Sequence, residues 1–502
     1  MSSPSAFDAV VIGTGASGLV CARLLAMEGK RVLCVEKHNR LGGYLQRFYR
    51  EKIPFDTGFH YTGKLGPQGV LRRFFAHLGI LDDLRFHELD RDAFDIIRTP
   101  DVEVRIPAGR DRYRERLKEH FPREARGIDR YVDELGRVSD LFPMYALRGE
   151  LDDTRKDEVV ASSPTLAAFL DSITDDPALK LVLAGQAFLH GTPPSRAPFW
   201  VHALVTDSFI SEGAWGIDGG GDALARALSR RIKEAGGEVR LADGATKILV
   251  EERTVKGVEL ESGERVDAPI VIAAIHPRVV VELLPESAVT PAYRSRIEGF
   301  EESITSLGLY YRMKSRPRDA GPWNIYWHRS RDLEASFADR TLSPDGPKFL
   351  FATWPSIRDS SWRYPENMIL LAPAQHDEVA RWTGTRTMKR PEDYERWKQR
   401  IGEHVGDALS KIMPDFSGDL LAVSTPLTNR DYTGSHLGSN YGVLQSSEQQ
   451  GLYKLSVRTR VKGLYLTGQS LGLMGLVGVT VTAFRTAGEI VGLEKLYSRI
   501  RL

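Results

Sequence analysis

The chain has 502 residues, more than one hydrophobic core comfortably serves, so two domains or one domain with a large insertion is expected. Apolar residues make up 42% and charged residues 27%, and the net charge of +1 gives no footing for nucleic acid as a partner. The two cysteines, Cys21 and Cys34, lie in apolar segments and read as small buried residues of a reducing compartment rather than a disulfide.

The opening MSSPSAFDAVVIG reaches a strand-like run by Asp8 without a basic region followed by a long apolar one, so no secretory leader is expected and the location reads as cytoplasmic. From Asp8 onward the pattern is strand, glycine turn, helix, strand. Ala9 to Ile12 forms a short buried strand, Gly13, Gly15 and Gly18 fill GxGxxG, and Leu19 to Met27 has helical spacing. The first glycine permits the turn, the second lets a pyrophosphate approach the backbone, and the third lets helix and strand pack closely. Ala16 and Ser17 lie in the turn just ahead of that helix, whose N-terminal free N–H groups and positive dipole end suit phosphate oxygens, and are expected to meet the cofactor. A second strand, Arg31 to Val35, ends in Glu36 and Lys37, near the offset at which a carboxylate takes ribose hydroxyls. An acid there selects an unphosphorylated ribose, as in FAD or NAD.

The next segments resemble a family. EKHNRLGG, with Gly42 and Gly43, is similar to the extended fingerprint of glutathione-reductase-like and amine-oxidase-like flavoproteins. FDTGFHYTG, carrying Gly58, His60 and Tyr61, resembles the retinol saturases, within the larger group that holds phytoene desaturases and carotenoid isomerases. The resemblance implies FAD as cofactor and an α/β fold: a Rossmann-type FAD-binding domain with a discontinuous α+β substrate domain. It continues through FPREARGIDRYV, GTPPSRAPFWVHALV and the block from Glu212 to Ala274. In that block a glycine turn at Gly219 to Gly221 leads into a helix, then strands at Glu238 to Leu241 and Ala245 to Glu251, and a buried strand at Ile270 to Ala274. Such a block completes an FAD domain, with Ala245 near the adenine; a plain hairpin unit without cofactor contact stays open.

Residues 1–64, 215–276 and 421–502 are therefore expected to form the FAD domain, and 65–214 and 277–420 the substrate domain. Within the latter, Gly69 to Leu81 has Val70, Leu71, Phe74, Phe75 and Leu78 on one helical face, which fits a helix packed inside the protein or one lying on a bilayer; a peripheral seat on a membrane stays open. Trp323, Tyr326, Trp327, Phe349, Phe351, Trp354, Trp362 and Tyr364 read as the lining of an apolar tunnel or as core.

Near the C-terminus, VSTPLTNRDYTGSHLGSNYG is again similar to the family. The uncharged run from Gly463 to Phe484 has the length of a membrane span, but its glycines and threonines favour strand, cofactor loop and helix, with Gly468, Gln469, Ser470, Gly478 and Val479 against the flavin. Ser470 departs from the resemblance, which predicts an acid there. No metal-spaced His and Cys cluster and no serine nucleophile motif occur, so catalysis is expected to rest on the flavin and a proton carrier, for which Tyr61, His60, Tyr441 and His202 are the candidates. The expected partner is a hydrophobic small-molecule substrate, a long polyene, with an external electron donor or acceptor. Saturation leads, desaturation and redox-neutral isomerisation are alternatives, and a non-catalytic prenyl-binding protein and an amine oxidase complete the set.

Overall fold

Four-residue apolar runs such as AVVI and VLCV are too short and too uniformly hydrophobic to face water on either side, and both become central strands of a parallel sheet. The computed structural model describes residues 7–147, 154–450 and 455–500. Five strands run in the order Leu464–Leu466, Val271–Ala273, Ala9–Ile12, Val32–Val35 and Glu238–Arg240, all parallel, with Val10 opposite Val271 and Leu33. Alternation of side chains splits them between two cores. Ala9, Val11, Val32 and Cys34 face the helices, while Val10, Ile12, Leu33 and Val35 pack with Ile248 and Val258 of a three-stranded antiparallel layer, Ala245–Glu251, Thr254–Leu260 and Arg265–Asp267. The helix Ala16–Met27 lies between two others, Gly220–Glu234 and Gly475–Val491, and covers the first face.

Element identities follow the sequence expectation, and the differences are at the ends. The first helix begins at Ala16 instead of Leu19 and the helix of the uncharged C-terminal run at Gly475 instead of Gly478, because Gly15 and Met474 adopt extended N-cap conformations that let the helix start at once. The run Gly463 to Phe484 becomes a strand, a loop with one 3-10 turn at Gln469–Leu471, and a helix; among the described residues no helix is long and apolar enough to cross a membrane. The first six residues, which bear on the leader expectation, lie outside the described residues.

A seven-stranded sheet follows the order Ser417–Ser424, Thr305–Ser315, Asn367–Ala374, Phe349–Thr353, Asn324–His328, Asp95–Arg98 and Glu103–Ile106. Its members come from both expected substrate segments, and Ser417–Ser424 runs across the boundary expected at 420/421. One junction is parallel: Asp95–Arg98 lies beside Asn324–His328, with Asp95 opposite Asn324. The helices Ala125–Asp140 and Phe199–Ile210, from the first expected substrate segment, pack against one another. The amphipathic segment forms a helix at Val70–His77, and its Val70, Leu71, Phe74 and Phe75 are buried inside the protein, Phe74 with its ring 4.6 Å from that of Phe484. The apolar face needed for a bilayer is thus spent on internal packing. Cys21 and Cys34 are both buried and free.

Candidate active site

The turn after the first strand is built for close approach. Gly13 has φ +96°, where a Cβ would stand 2.9 Å from the Ala274 carbonyl oxygen, and at Gly18 a Cβ would stand 2.2 Å from the Gly13 carbonyl oxygen. Gly15 differs: nothing lies within 4 Å of the place a Cβ would take, so its outer side is open space. No side chain caps the helix that follows, which leaves its first N–H groups to be met from the cavity. Gly42, at φ +115°, forms a backbone bridge to Gly15, and Gly43 packs against Gly15 Cα. At the end of the second strand the Glu36 carboxylate accepts hydrogen bonds from Thr14 N (3.0 Å), Thr14 Oγ1 (2.7 Å) and His38 N (3.1 Å), while Thr14 Oγ1 accepts from Gly42 N at 3.2 Å. Thr14 therefore ties the acid to the glycine pair.

These groups open into one cavity of about 1090 Å³. Gly13, Gly15, Ala16, Ser17, Glu36, Lys37, Gly42, Gly43, Ala245, Gly468, Gln469, Ser470 and Val479 line one half of it. Gly18 and Gly478 do not reach the cavity: Gly18 sits under the turn, and a Cβ at Gly478 would stand 2.6 Å from the Leu473 carbonyl carbon. Ser470 Oγ accepts from Val443 N at 3.4 Å and lies against Gly442, so the hydroxyl holds the loop where the resemblance predicts an acid. The other half of the cavity is apolar, with Phe188, Leu204, Phe209, Ile304, Phe349 and Phe351 among its walls; Phe188 stacks on Phe349 at 3.9 Å.

Three of the four proton-carrier candidates line the cavity, and the fourth does not. Gly58, His60, Tyr61 and Tyr441 all border it. Neither ring nitrogen of His60 has a hydrogen-bond partner among the described residues, and burial pushes its imidazole down to about 4, so it is neutral. Tyr61 Oη donates to Asp95 Oδ2 at 2.8 Å and lies 2.5 Å from Tyr326 Oη. Burial lifts both phenols well above the usual tyrosine range, and Tyr441 is also raised by burial. His202 lies behind the wall on the helix Phe199–Ile210, fully buried, within hydrogen-bond distance of Tyr131 Oη (2.8 Å) and His190 Nε2 (3.3 Å). Among the eight aromatic residues singled out from sequence, Tyr326, Phe349 and Phe351 line the cavity, while Trp354 is core.

Several members of the site carry no sequence motif. Thr14 is an unspecified position of GxGxxG. Asp95, Gln186, Asn324 and Arg358 form the polar surroundings of Tyr61, and the one hint to them is Asp95 itself, an acid inside the apolar run AFDII. Among the described residues no group of three or more His, Cys, Asp or Glu is placed to hold a metal ion.

A phosphate-accepting helix start with open space above its second glycine, a fixed carboxylate after the second strand, and an adjoining apolar chamber together fit a bound dinucleotide beside a hydrophobic substrate. The molecule is an FAD-dependent oxidoreductase of the Rossmann type. It belongs to the flavin containing amine oxidoreductase family, whose model matches residues 16–491. The chain is 28% identical to an all-trans-retinol 13,14-reductase of Rattus norvegicus, over 99% of this chain and 88% of that one. It is 23% identical to a chloroplastic prolycopene isomerase of Daucus carota, over 97% and 81%. Of solved structures, an oxidoreductase from Methanosarcina mazei superposes with a TM-score of 0.64 at 15% identity, covering 95% of this chain and 99% of that one. Putrescine oxidase bound to putrescine superposes at 0.61 and 14%, covering 97% and 99%. Both likenesses concern the fold.

Proposed function

We propose that this enzyme adds hydrogen across a C=C bond of a long apolar polyene, a retinoid, carotenoid or related isoprenoid lipid. The observation that carries the reading is the continuity of the two halves of the cavity: an aromatic chamber opens directly onto the dinucleotide cleft, with hydroxyl groups at its wall. The names of the relatives, a retinol reductase and a prolycopene isomerase, point to the same substrate class.

FAD, when bound, supplies hydride acceptance and donation. In this reading Gly13, Gly15, Ala16 and Ser17 take the pyrophosphate, Glu36 takes the ribose hydroxyls with Lys37 beside it, Ala245 borders the adenine, and Gly468, Gln469, Ser470 and Val479 border the flavin end. The apolar walls align the polyene and keep water out, which protects the reacting carbons from side reactions. Tyr61 holds a proton at the chamber wall, and Tyr441 presents a second hydroxyl that makes no hydrogen bond among the described residues. The spans 1–64, 215–276 and 421–502 serve the cofactor and the two intervening spans serve the substrate, with reducing equivalents arriving from an external donor.

The test is anaerobic photoreduction of the holoenzyme followed by all-trans-retinol or a carotenoid. Reoxidation of flavin in proportion to a saturated product supports the reading. Turnover to a geometric isomer without net reoxidation replaces it with isomerisation, the activity named in the plant relative. Reduction of the oxidised flavin by primary amines, with no response to polyenes, would instead make the chain an amine oxidase.

A further inference from the structure

Asp95 is a carboxyl with no exposure to solvent and, among the described residues, no ion-pair partner within 4 Å. Three neutral groups hold it. Its Oδ1 accepts from Asn324 Nδ2 at 2.8 Å, and its Oδ2 accepts from Gln186 Nε2 at 2.5 Å and from Tyr61 Oη at 2.8 Å. Tyr326 Oη then stands 2.5 Å from Tyr61 Oη, and both tyrosines line the chamber while Asp95 does not. The ionisable groups that face Asp95 come from three elements: Tyr61 on the glycine loop, Tyr326 on the neighbouring strand, and Arg358 at the end of the helix Pro355–Arg358. Arg358 does not touch the carboxylate. Its Nη1 donates to Asn324 Oδ1 at 3.1 Å, and its Nη2 donates to Thr353 Oγ1 at 2.8 Å and to the His60 carbonyl at 3.4 Å.

From this geometry we propose that Asp95, Tyr61 and Tyr326 form a one-proton store for the chamber, with Asp95 as the positioning residue that sets the direction of the two hydroxyls. The proposal rests on the polyene reading above. Arg358 fixes the Asn324 amide with its oxygen turned away, so Oδ1 faces only a donor and an added proton must sit on Oδ2. With Asp95 ionised, Tyr61 donates to it, Tyr326 donates to Tyr61, and both hydroxyl hydrogens point into the wall. With Asp95 protonated the row reverses: Asp95 donates to Tyr61, Tyr61 donates to Tyr326, and the Tyr326 hydrogen is released into the chamber. Burial favours the protonated form, pushing the carboxyl up to about 7.

The stoichiometry follows. Saturating a C=C bond takes one hydride, which carries the bonding electron pair and which FAD would supply when bound and reduced, and one proton. The proton leaves Tyr326 Oη as a C–H bond forms on the neighbouring carbon. Tyr61 replaces the hydrogen on Tyr326, Asp95 replaces that on Tyr61, and the row ends as a carboxylate that one solvent proton restores.

The test uses holoenzyme of the wild type and of Asp95→Asn, Asp95→Glu and Tyr326→Phe, each checked for bound flavin by its absorbance. Infrared difference spectra across a pH titration should show a carboxylic C=O band that is missing in Asp95→Asn. With all-trans-retinol as probe, the reoxidation of photoreduced flavin by substrate should slow by about 100-fold in Asp95→Asn and in Tyr326→Phe. The wild-type rate should fall as pH rises through about 7, the fall should vanish in Asp95→Asn, and Asp95→Glu should restore a displaced version of it. Absence of the infrared band, or an unchanged pH profile in Asp95→Asn, overturns the proposal. A wild type that turns over no polyene overturns the substrate reading alone, and the infrared band then decides the proton store by itself.

Discussion

Thr14 illustrates how much of the site depends on a side chain that the glycine motif leaves unspecified. Its hydroxyl donates to Glu36 and accepts from Gly42 N, and its own N–H also reaches Glu36, so the acid is held in one rotamer by the turn it serves. Thr14→Val keeps the shape and the backbone bond but removes the hydroxyl. A hydrogen bond to a charged group is worth about 1.5–3 kcal/mol, and Gly42 N loses its acceptor as well. FAD retention is therefore expected to weaken by roughly tenfold or more, measured as flavin released on dilution and reported by its recovered fluorescence. Equal retention in the two proteins would show that Glu36 does not depend on this clamp.

At the scale of elements, the cofactor half of the site is legible in sequence because it is contiguous. Ala9 to Gly43 supplies strand, turn, helix, strand and glycine pair in one stretch, each reporting a local backbone requirement. The substrate half is legible only in part. Tyr61, Asp95, Gln186, Asn324 and Arg358 meet through hydrogen bonds between distant segments, and no local period encodes which buried polar groups will share partners. The helix Val70–His77 shows the same limit in reverse: its apolar face is plain in sequence, but what covers it is decided by Phe484, some 400 residues on. Because Phe74 is fully buried there, Phe74→Ala should cost about 3–5 kcal/mol of stability, seen as a lowered midpoint in urea unfolding of the holoenzyme. Binding to anionic lipid vesicles should not change. The opposite pattern, stability kept and vesicle binding lost, would mean that this helix faces a membrane.

For the molecule as a whole, burial of titratable groups around the chamber sets how stability varies with pH. Burial holds the imidazoles of His60, His202 and His328 down at about 4, against an ordinary value of 6.5. Between pH 6.5 and 4 the unfolded chain takes up a proton at each of them and the folded chain does not, so stability is lost as the pH falls through this window, at about 1.4 kcal/mol per pH unit for each group. Asp95 has the opposite sign: its carboxyl is raised from 3.8 to about 7, the folded form keeps a proton that the unfolded form releases, and its contribution is lost as the pH rises through that range. By themselves these three imidazoles against Asp95 leave a net loss on acidification of roughly 3 kcal/mol per unit from pH 6.5 downward; buried His190, also held well below its ordinary value, adds to the loss, and Glu212, raised by burial, opposes it. Urea unfolding of the holoenzyme at pH 5 and pH 6.5 measures the slope. His202→Asn should reduce it by about one group's share, and Asp95→Asn should steepen it by the same amount, because it removes an opposing titration. A slope that neither substitution moves would place the acid sensitivity outside the chamber walls and remove the electrostatic basis for a proton held at Asp95.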